Sequence, residues 1–173
     1  NCLNKFGKAS YSPKSFNNKY GVPLSLFNLN INNNYGVFEI GMDKKGEIDF
    51  LSSIVKPNIG VITNISYAHA KNFKSISDIA KAKAEIINNI KKYGSIILNA
   101  DDKFFSIHKK IAKKRRLNIV SFGYSYKSDV KFLKLKKLGK YYKIEVQIFD
   151  ELKKFEIRYK YKNYIKNILS ALA

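Results

Sequence analysis

The chain has 173 residues, 45% hydrophobic and 14% aromatic, with a single cysteine, Cys2; this balance supports a packed core, excludes an internal disulfide, and fits a reducing cytoplasm. No apolar run approaches the roughly 20 residues of a membrane span, and the opening residues carry no signal-peptide pattern. The net charge of +20 invites a polyanionic partner, but of 33 basic residues three are arginine (Arg115, Arg116 and Arg158) and the lysines are spread along the chain, unlike the clustered, arginine-rich stripe of a nucleic-acid interface.

In chain order, Asn1–Ala9 reads as the tail of a helix. Tyr35–Met42, Ile59–Ser66 and Gly94–Asp102 are short apolar runs bounded by glycine or polar residues, hence buried strands. Helical patterns follow them at Gly46–Val55, Ser75–Tyr93 and Asp101–Leu117, and a fourth strand at Asn118–Tyr124. Strand–helix alternation at this spacing predicts an α/β fold, a mostly parallel sheet flanked by helices. After Tyr126 the period becomes two. Tyr142, Ile144, Val146 and Ile148 alternate, as do Phe155, Ile157 and Tyr159, with Asp150 and Glu151 between the runs. This predicts an added antiparallel hairpin. A final helix carries Ile165, Ile168, Leu169 and Leu172 on one side. There are no internal repeats. Residues 1–173 are expected to form one domain excised from a longer chain.

In open parallel sheets, ligands bind beyond the carboxyl ends of the strands. Glu39, His69, Asn99, Asp101 and Asp102 collect at those ends, where carboxylates and an imidazole suit a divalent cation with phosphate. Asp101 and Asp102 read more readily as helix caps. A lysine adds to the set. At about 100° per residue, with Ile79 at zero, Ile86, Ile90 and Tyr93 fall within about 40° and Lys81 near 200°. Lys83 lands near 40°, inside the apolar stripe, and Ser75 with Asp78 resembles a capping box that anchors this register. A lysine there either snorkels to solvent or is neutralised, for instance by carbamylation, because a desolvated ammonium is costly.

Five blocks, "SFNNKYGVPLSL" (Ser15–Leu26), "VFEIGMDKKGEID" (Val37–Asp49), "PNIGVITNISYAH" (Pro57–His69), "AKAKAEI" (Ala80–Ile86) and "ILNADD" (Ile97–Asp102), together resemble the central, P-loop-NTPase-like ATPase domain of the Mur ligases. Within that family they are most similar to the branch that adds D-alanyl-D-alanine to UDP-N-acetylmuramoyl-tripeptide. The resemblance implies an ATP- and Mg2+-dependent ligase of peptidoglycan synthesis that forms an amide bond through an acyl-phosphate. It implies that Glu39 holds the magnesium on the ATP phosphates, that His69 is a ligand of a second magnesium, and that Lys83 is the carbamylated lysine. Asn17 and Asn18 fall in the loop near substrate and phosphates, and Asn167, with Asn163 on the same helix side, meets the adenine. A cytoplasmic, monomeric protein is expected.

The sequence departs from the family in places. The glycine-rich phosphate loop is absent and would precede Asn1; the amine-binding domain would follow Ala173. The stretch alone is therefore expected to be inactive. Lys71 stands where the family commonly has an acid, and Tyr161–Tyr164 replaces a Gly-x-His-Asn run, with Asn163 in the histidine position. His108 lies outside the family blocks in a basic helix and reads as a surface residue. The alternatives are a ligase of the same superfamily acting on another carboxylate, a degenerate homologue retained for interaction, and, from another class, a basic nucleic-acid-binding domain.

Overall fold

The computed structural model describes residues 3–67, 72–158 and 162–173, with 162 and 163 as backbone. They divide into two units, one comprising the chain up to Pro57 with Tyr67–Asn89, the other Asn58–Ser66 with Ile90–Ala173. The first expected helical tail is a short 3-10 turn, Leu3–Lys5.

In the first unit, β1 (Ala9–Tyr11) pairs in parallel with β2 (Tyr35–Val37), and α1 (Gly21–Phe27) lies between them in sequence. The "NNKYGVPL" run explains α1 locally. Asn18 Oδ1 accepts from the backbone N–H groups of Tyr20 (3.0 Å) and Gly21 (2.9 Å), satisfying donors at the helix start. Gly21 passes so close to Phe16 that a Cβ would stand 2.5 Å from its Cα, and Pro23 sits in the first turn, where its missing N–H costs nothing. The expected strand Tyr35–Met42 is shorter than predicted, because the chain leaves the ladder after Val37 and Gly41 donates its N–H to the Asn17 carbonyl at 2.7 Å instead.

Helix α2 (Glu47–Val55) buries Ile48, Leu51 and Ser52. The helix predicted over Ser75–Tyr93 is two helices, α3 (Ile76–Ala84) and α4 (Ile86–Asn89), broken at Glu85. Its start is as expected: Ser75 Oγ accepts from the Asp78 N–H at 3.1 Å and donates to Asp78 Oδ2 at 2.8 Å. Ile79, Ile87 and Ile90 are buried, whereas Tyr93, expected on the same stripe, lies past the end of α4 in a turn with φ +64° and is 71% exposed.

The second unit holds a six-stranded sheet in chain order: β3 (Ile59–Ile62), β4 (Ser95–Asn99), β5 (Asn118–Gly123), β6 (Val130–Leu138), β7 (Tyr141–Ile148) and β8 (Glu151–Ile157). The first four strands run parallel, and β6–β7–β8 are antiparallel. The parallel strands β3, β4 and β5 and the β7–β8 hairpin match the sequence expectation, while the strand expected at Tyr35–Met42 pairs in the separate two-stranded sheet. Strand β6 was not expected. A register shift between Phe132 and Lys134 breaks its alternation, and its four lysines hide the apolar side from a period-two pattern. Helix α5 (Phe105–Lys114) connects β4 to β5, and α6 (Lys162–Leu172) packs on β4, β5 and β6. Ile165 and Leu169 of α6 join Ile97, Phe122, Val130, Ile144 and Val146 in one core. His108, read from sequence as surface, is buried on α5 beside Ala112, one turn on; the cations of α5 occupy the other side of the helix. Among the described residues no helix is long and apolar enough to cross a membrane.

Candidate functional site

Two of the expected site residues meet directly. Asn17 donates its side-chain amide to Glu39 Oε1 at 2.9 Å. The contact is held from both sides, because the Asn17 carbonyl also accepts the Gly41 N–H. A Cβ on Gly41 would lie 3.0 Å from Asn17 Cγ and 3.2 Å from its carbonyl oxygen, so the two backbones approach as closely as glycine allows. The Glu39 carboxylate is solvent-exposed, and one of its oxygens is steered by an amide. An exposed, oriented carboxylate of this kind suits Mg2+, which takes one or two protein carboxylates and completes its octahedron with water and phosphate oxygens.

Asn18 has a different occupation. Its side-chain oxygen is engaged in capping α1, which leaves the amide nitrogen as the part able to reach a ligand.

Lys83 lies on the last turn of α3, half-buried between Ala82 and Ala84, both of which are buried. Its neighbour Lys81 is exposed, as the helical wheel predicts, and pairs with Asp78 at 3.7 Å. His69 and Lys71 lie outside the described residues, as does the side chain of Asn163.

Asn167 is exposed on α6, on the side away from the buried Ile165 and Leu169. Next to it, Lys166 pairs with Asp101 Oδ2 at 3.5 Å and lies over the Tyr124 ring at 5.7 Å. The Asp101 carboxylate also accepts the N–H groups of Tyr124 and Ser125, each at 3.0 Å. Burial, and then the Asp101 charge, push the Tyr124 hydroxyl above its ordinary pKa. Asp101 is thus a clasp between loops rather than the helix cap expected from sequence. Asp102 is nearer that expectation: Oδ1 accepts the Phe104 N–H at 2.9 Å ahead of α5, and Oδ2 accepts the Ile65 N–H at 2.9 Å. Asn99 is buried, donating to the Thr63 carbonyl and accepting from the Asp101 N–H. These three strand-end residues are committed to the fold.

Sequence reasoning passed over Glu85. Its carboxylate accepts from the Gly46 N–H at 2.9 Å and the Asp49 N–H at 3.2 Å, at the start of α2. The one sequence signal was its place inside the "AKAKAEI" block, two residues beyond Lys83.

Comparison with known proteins identifies the family of this chain. A curated relative from Rickettsia prowazekii, UDP-N-acetylmuramoyl-tripeptide–D-alanyl-D-alanine ligase, is 40% identical over 126 residues, covering 72% of this chain and 28% of its own length. The chain therefore spans little more than a quarter of that relative. Among solved structures, MurF from Acinetobacter baumannii superposes with a TM-score of 0.90 at 27% identity, over 98% of this chain and 37% of that one. The fold also matches the MurF ligase of Thermotoga maritima in complex with ADP, with a TM-score of 0.87 at 24% identity, over 98% of this chain and 39% of that one. The Mur ligase middle domain matches residues 2–173, and the chain belongs to that family.

Proposed function

We propose that this chain is the nucleotide-binding middle domain of an ATP-dependent ligase that joins D-alanyl-D-alanine to UDP-N-acetylmuramoyl-tripeptide. The family assignment supports an ATP-driven ligase; the printed activity of the Rickettsia prowazekii relative supports this pair of substrates. The observation that carries the site is the Asn17–Glu39 contact, which joins two residues of separate motif blocks around one exposed carboxylate.

In the proposed reaction the tripeptide carboxylate attacks the γ-phosphorus of ATP, forming an acyl-phosphate with ADP as the leaving group. The amine of D-alanyl-D-alanine then attacks the acyl carbon, the C–O bond to phosphate breaks, and the amine releases a proton as the amide forms. Bound magnesium would neutralise phosphate charge during the first step. Glu39 would hold that ion, with Asn17 fixing the rotamer of the carboxylate. Lys83 would act as a carbamate: its neutral amine bonds to the carbon of CO2 and gives up one proton, turning a cation into an oxygen ligand. His69 would supply a ligand to a second ion. The side-chain amide of Asn18 would lie near substrate and phosphates, and Asn163 and Asn167 would contact adenine from α6. No protein nucleophile is required, and Cys2 has no role in it. We further propose that the domain works in the cytoplasm as part of a longer, monomeric chain.

The test is phosphate release from ATP by the full-length protein. Release that requires both UDP-N-acetylmuramoyl-tripeptide and D-alanyl-D-alanine, is abolished by Glu39→Gln and Lys83→Ala, and is partly restored to the Lys83 variant by short carboxylates, is the expected result. Release indifferent to D-alanyl-D-alanine, or unchanged in both variants, overturns the proposal.

A further inference from the structure

We infer that Glu85 is a positioning residue that holds the Lys83 helix in register with the segment carrying Glu39; this rests on the proposed metal-site roles of Lys83 and Glu39. Glu85 stands where α3 gives way to α4, and its own N–H bonds to the Ala82 carbonyl at 3.1 Å. Its carboxylate reaches to the start of α2. Oε1 and Oε2 accept from the Gly46 N–H at 2.9 and 3.0 Å, and Oε2 accepts from the Asp49 N–H at 3.2 Å. These are donors that a helix start leaves unsatisfied, at the positive end of its dipole.

A second contact lies one turn further on. Asn89 donates its amide to the Asp49 carbonyl at 3.0 Å, to Asp49 Oδ1 at 2.9 Å and to Ser52 Oγ at 2.9 Å. Asn89 thus adds a contact to α2 that lies further from Lys83, whereas the Glu85 contact sits at the junction next to it. The covalent paths from the Glu85 grip to the proposed ligands are short. Lys83 is two residues from Glu85. Glu39 is seven residues from Gly46, and the loop between them is closed by Glu47, whose Oε2 accepts the N–H groups of Asp43 and Lys44.

The first turn of α2 already carries Glu47 and Asp49, so Glu85 is a third carboxylate at one helix start, brought there from 36 to 39 positions away in the chain. In a chain with 13 acids against 33 bases, three acids converge on one helix start. Strong, charge-assisted acceptance from two backbone donors is what the third one gains.

The experiment compares Glu85→Ala, Glu85→Gln and Asn89→Ala with Lys83→Ala in the full-length protein. Three quantities are read: the 13C resonance of the Lys83 carbamate after equilibration with 13C-bicarbonate, the apparent Mg2+ affinity in ADP-binding titrations, and the thermal midpoint. Glu85→Ala should lose the carbamate resonance and about 10–100-fold in Mg2+ affinity, the usual cost of removing an outer support of a metal ligand. Glu85→Gln, which keeps an oxygen acceptor, should recover most of both. Asn89→Ala should lower the midpoint while keeping the resonance and the affinity. If Glu85→Ala does not fold, Glu85→Asp replaces it, with the carboxylate one methylene short and the same losses expected. Retention of resonance and affinity by Glu85→Ala (or by Glu85→Asp in its place), or equal loss in Asn89→Ala, overturns the inference alone. Lys83→Ala with unchanged Mg2+ affinity removes the role of Lys83 and overturns both.

Discussion

Asn17 and Glu39, 22 positions apart in the chain, are joined by a 2.9 Å amide–carboxylate hydrogen bond, and the same asparagine receives the Gly41 N–H on its carbonyl. One residue thereby fixes both the side chain and the backbone of the "EIG" segment. The relationship turns a sequence motif into a mechanical one: the loop ahead of α1 holds the proposed metal carboxylate, while its neighbour Asn18 holds α1.

Asn17→Ala should therefore act on metal dependence rather than on folding. The carboxylate would keep its charge and lose its fixed rotamer. We expect about 10-fold weaker apparent Mg2+ affinity, by the usual scale of outer-sphere support, with little change in thermal midpoint. Glu39→Gln should cost more, since it removes the charge itself. Mg2+ titrations of ADP binding to the full-length protein would check the order; an Asn17 effect equal to that of Glu39→Gln would contradict it.

Gly41→Ala provides an independent test of the same contact. The new methyl would stand 3.0 Å from Asn17 Cγ, 3.1 Å from Nδ2 and 3.2 Å from the carbonyl, so the asparagine must yield by a few tenths of an ångström. The expected outcome is a loss resembling that of Asn17→Ala, and no further loss when the two substitutions are combined, as for residues acting through one interaction. Additive losses would show that Gly41 serves another purpose.

Asp101 and Lys166 separate a clasp from an ordinary ion pair. Removing Asp101 leaves the Tyr124 and Ser125 N–H groups without their acceptor, a change worth about 1–2 kcal/mol. Lys166→Met removes a partly exposed pair, worth under about 1 kcal/mol. Amide hydrogen exchange at Tyr124 and Ser125 should accelerate about tenfold in Asp101→Ala, following the first figure, and change far less in Lys166→Met. Equal acceleration would mean that the ion pair, and not the backbone acceptance, secures the loop.

The strands that could be read from sequence are those with a clean signal. β3 and β4 are carried by short apolar runs and β5 by Ile119, Val120 and Phe122, and β7 keeps strict alternation through Ile144 and Val146, both wholly buried. β6 was hidden because a bulge at Phe132–Lys134 removes the period on which such reading depends. The break at Glu85 was illegible for a different reason: its partners, Gly46 and Asp49, lie 39 and 36 positions away, beyond any local pattern. His108 was misread because it was counted with the lysines around it; Phe104, His108 and Ala112, spaced four apart, form the buried stripe. At the site, family motifs pointed to both Asn17 and Asn18, yet nothing in the sequence separates a residue that steers a carboxylate from one that caps a helix.

The loop between Glu39 and α2 offers a pH test. Glu47 accepts the Asp43 and Lys44 N–H groups, and its carboxyl is held below the ordinary value of 4.5, first by the Asp43 N–H; burial opposes this, and the Lys44 N–H and charge add to the lowering. A carboxyl with a depressed folded-state pKa contributes stability that is present above its unfolded value and lost as pH falls through the folded one. The loop should thus be closed at neutral pH and loosen as pH drops below 4.5. Exchange protection of the Asp43 and Lys44 amides, each taken relative to Glu47→Gln at the same pH, should exceed that of the variant at neutral pH and converge with it in acid. A protection difference that persists unchanged well below that value would mean the carboxylate's charge does not close the loop.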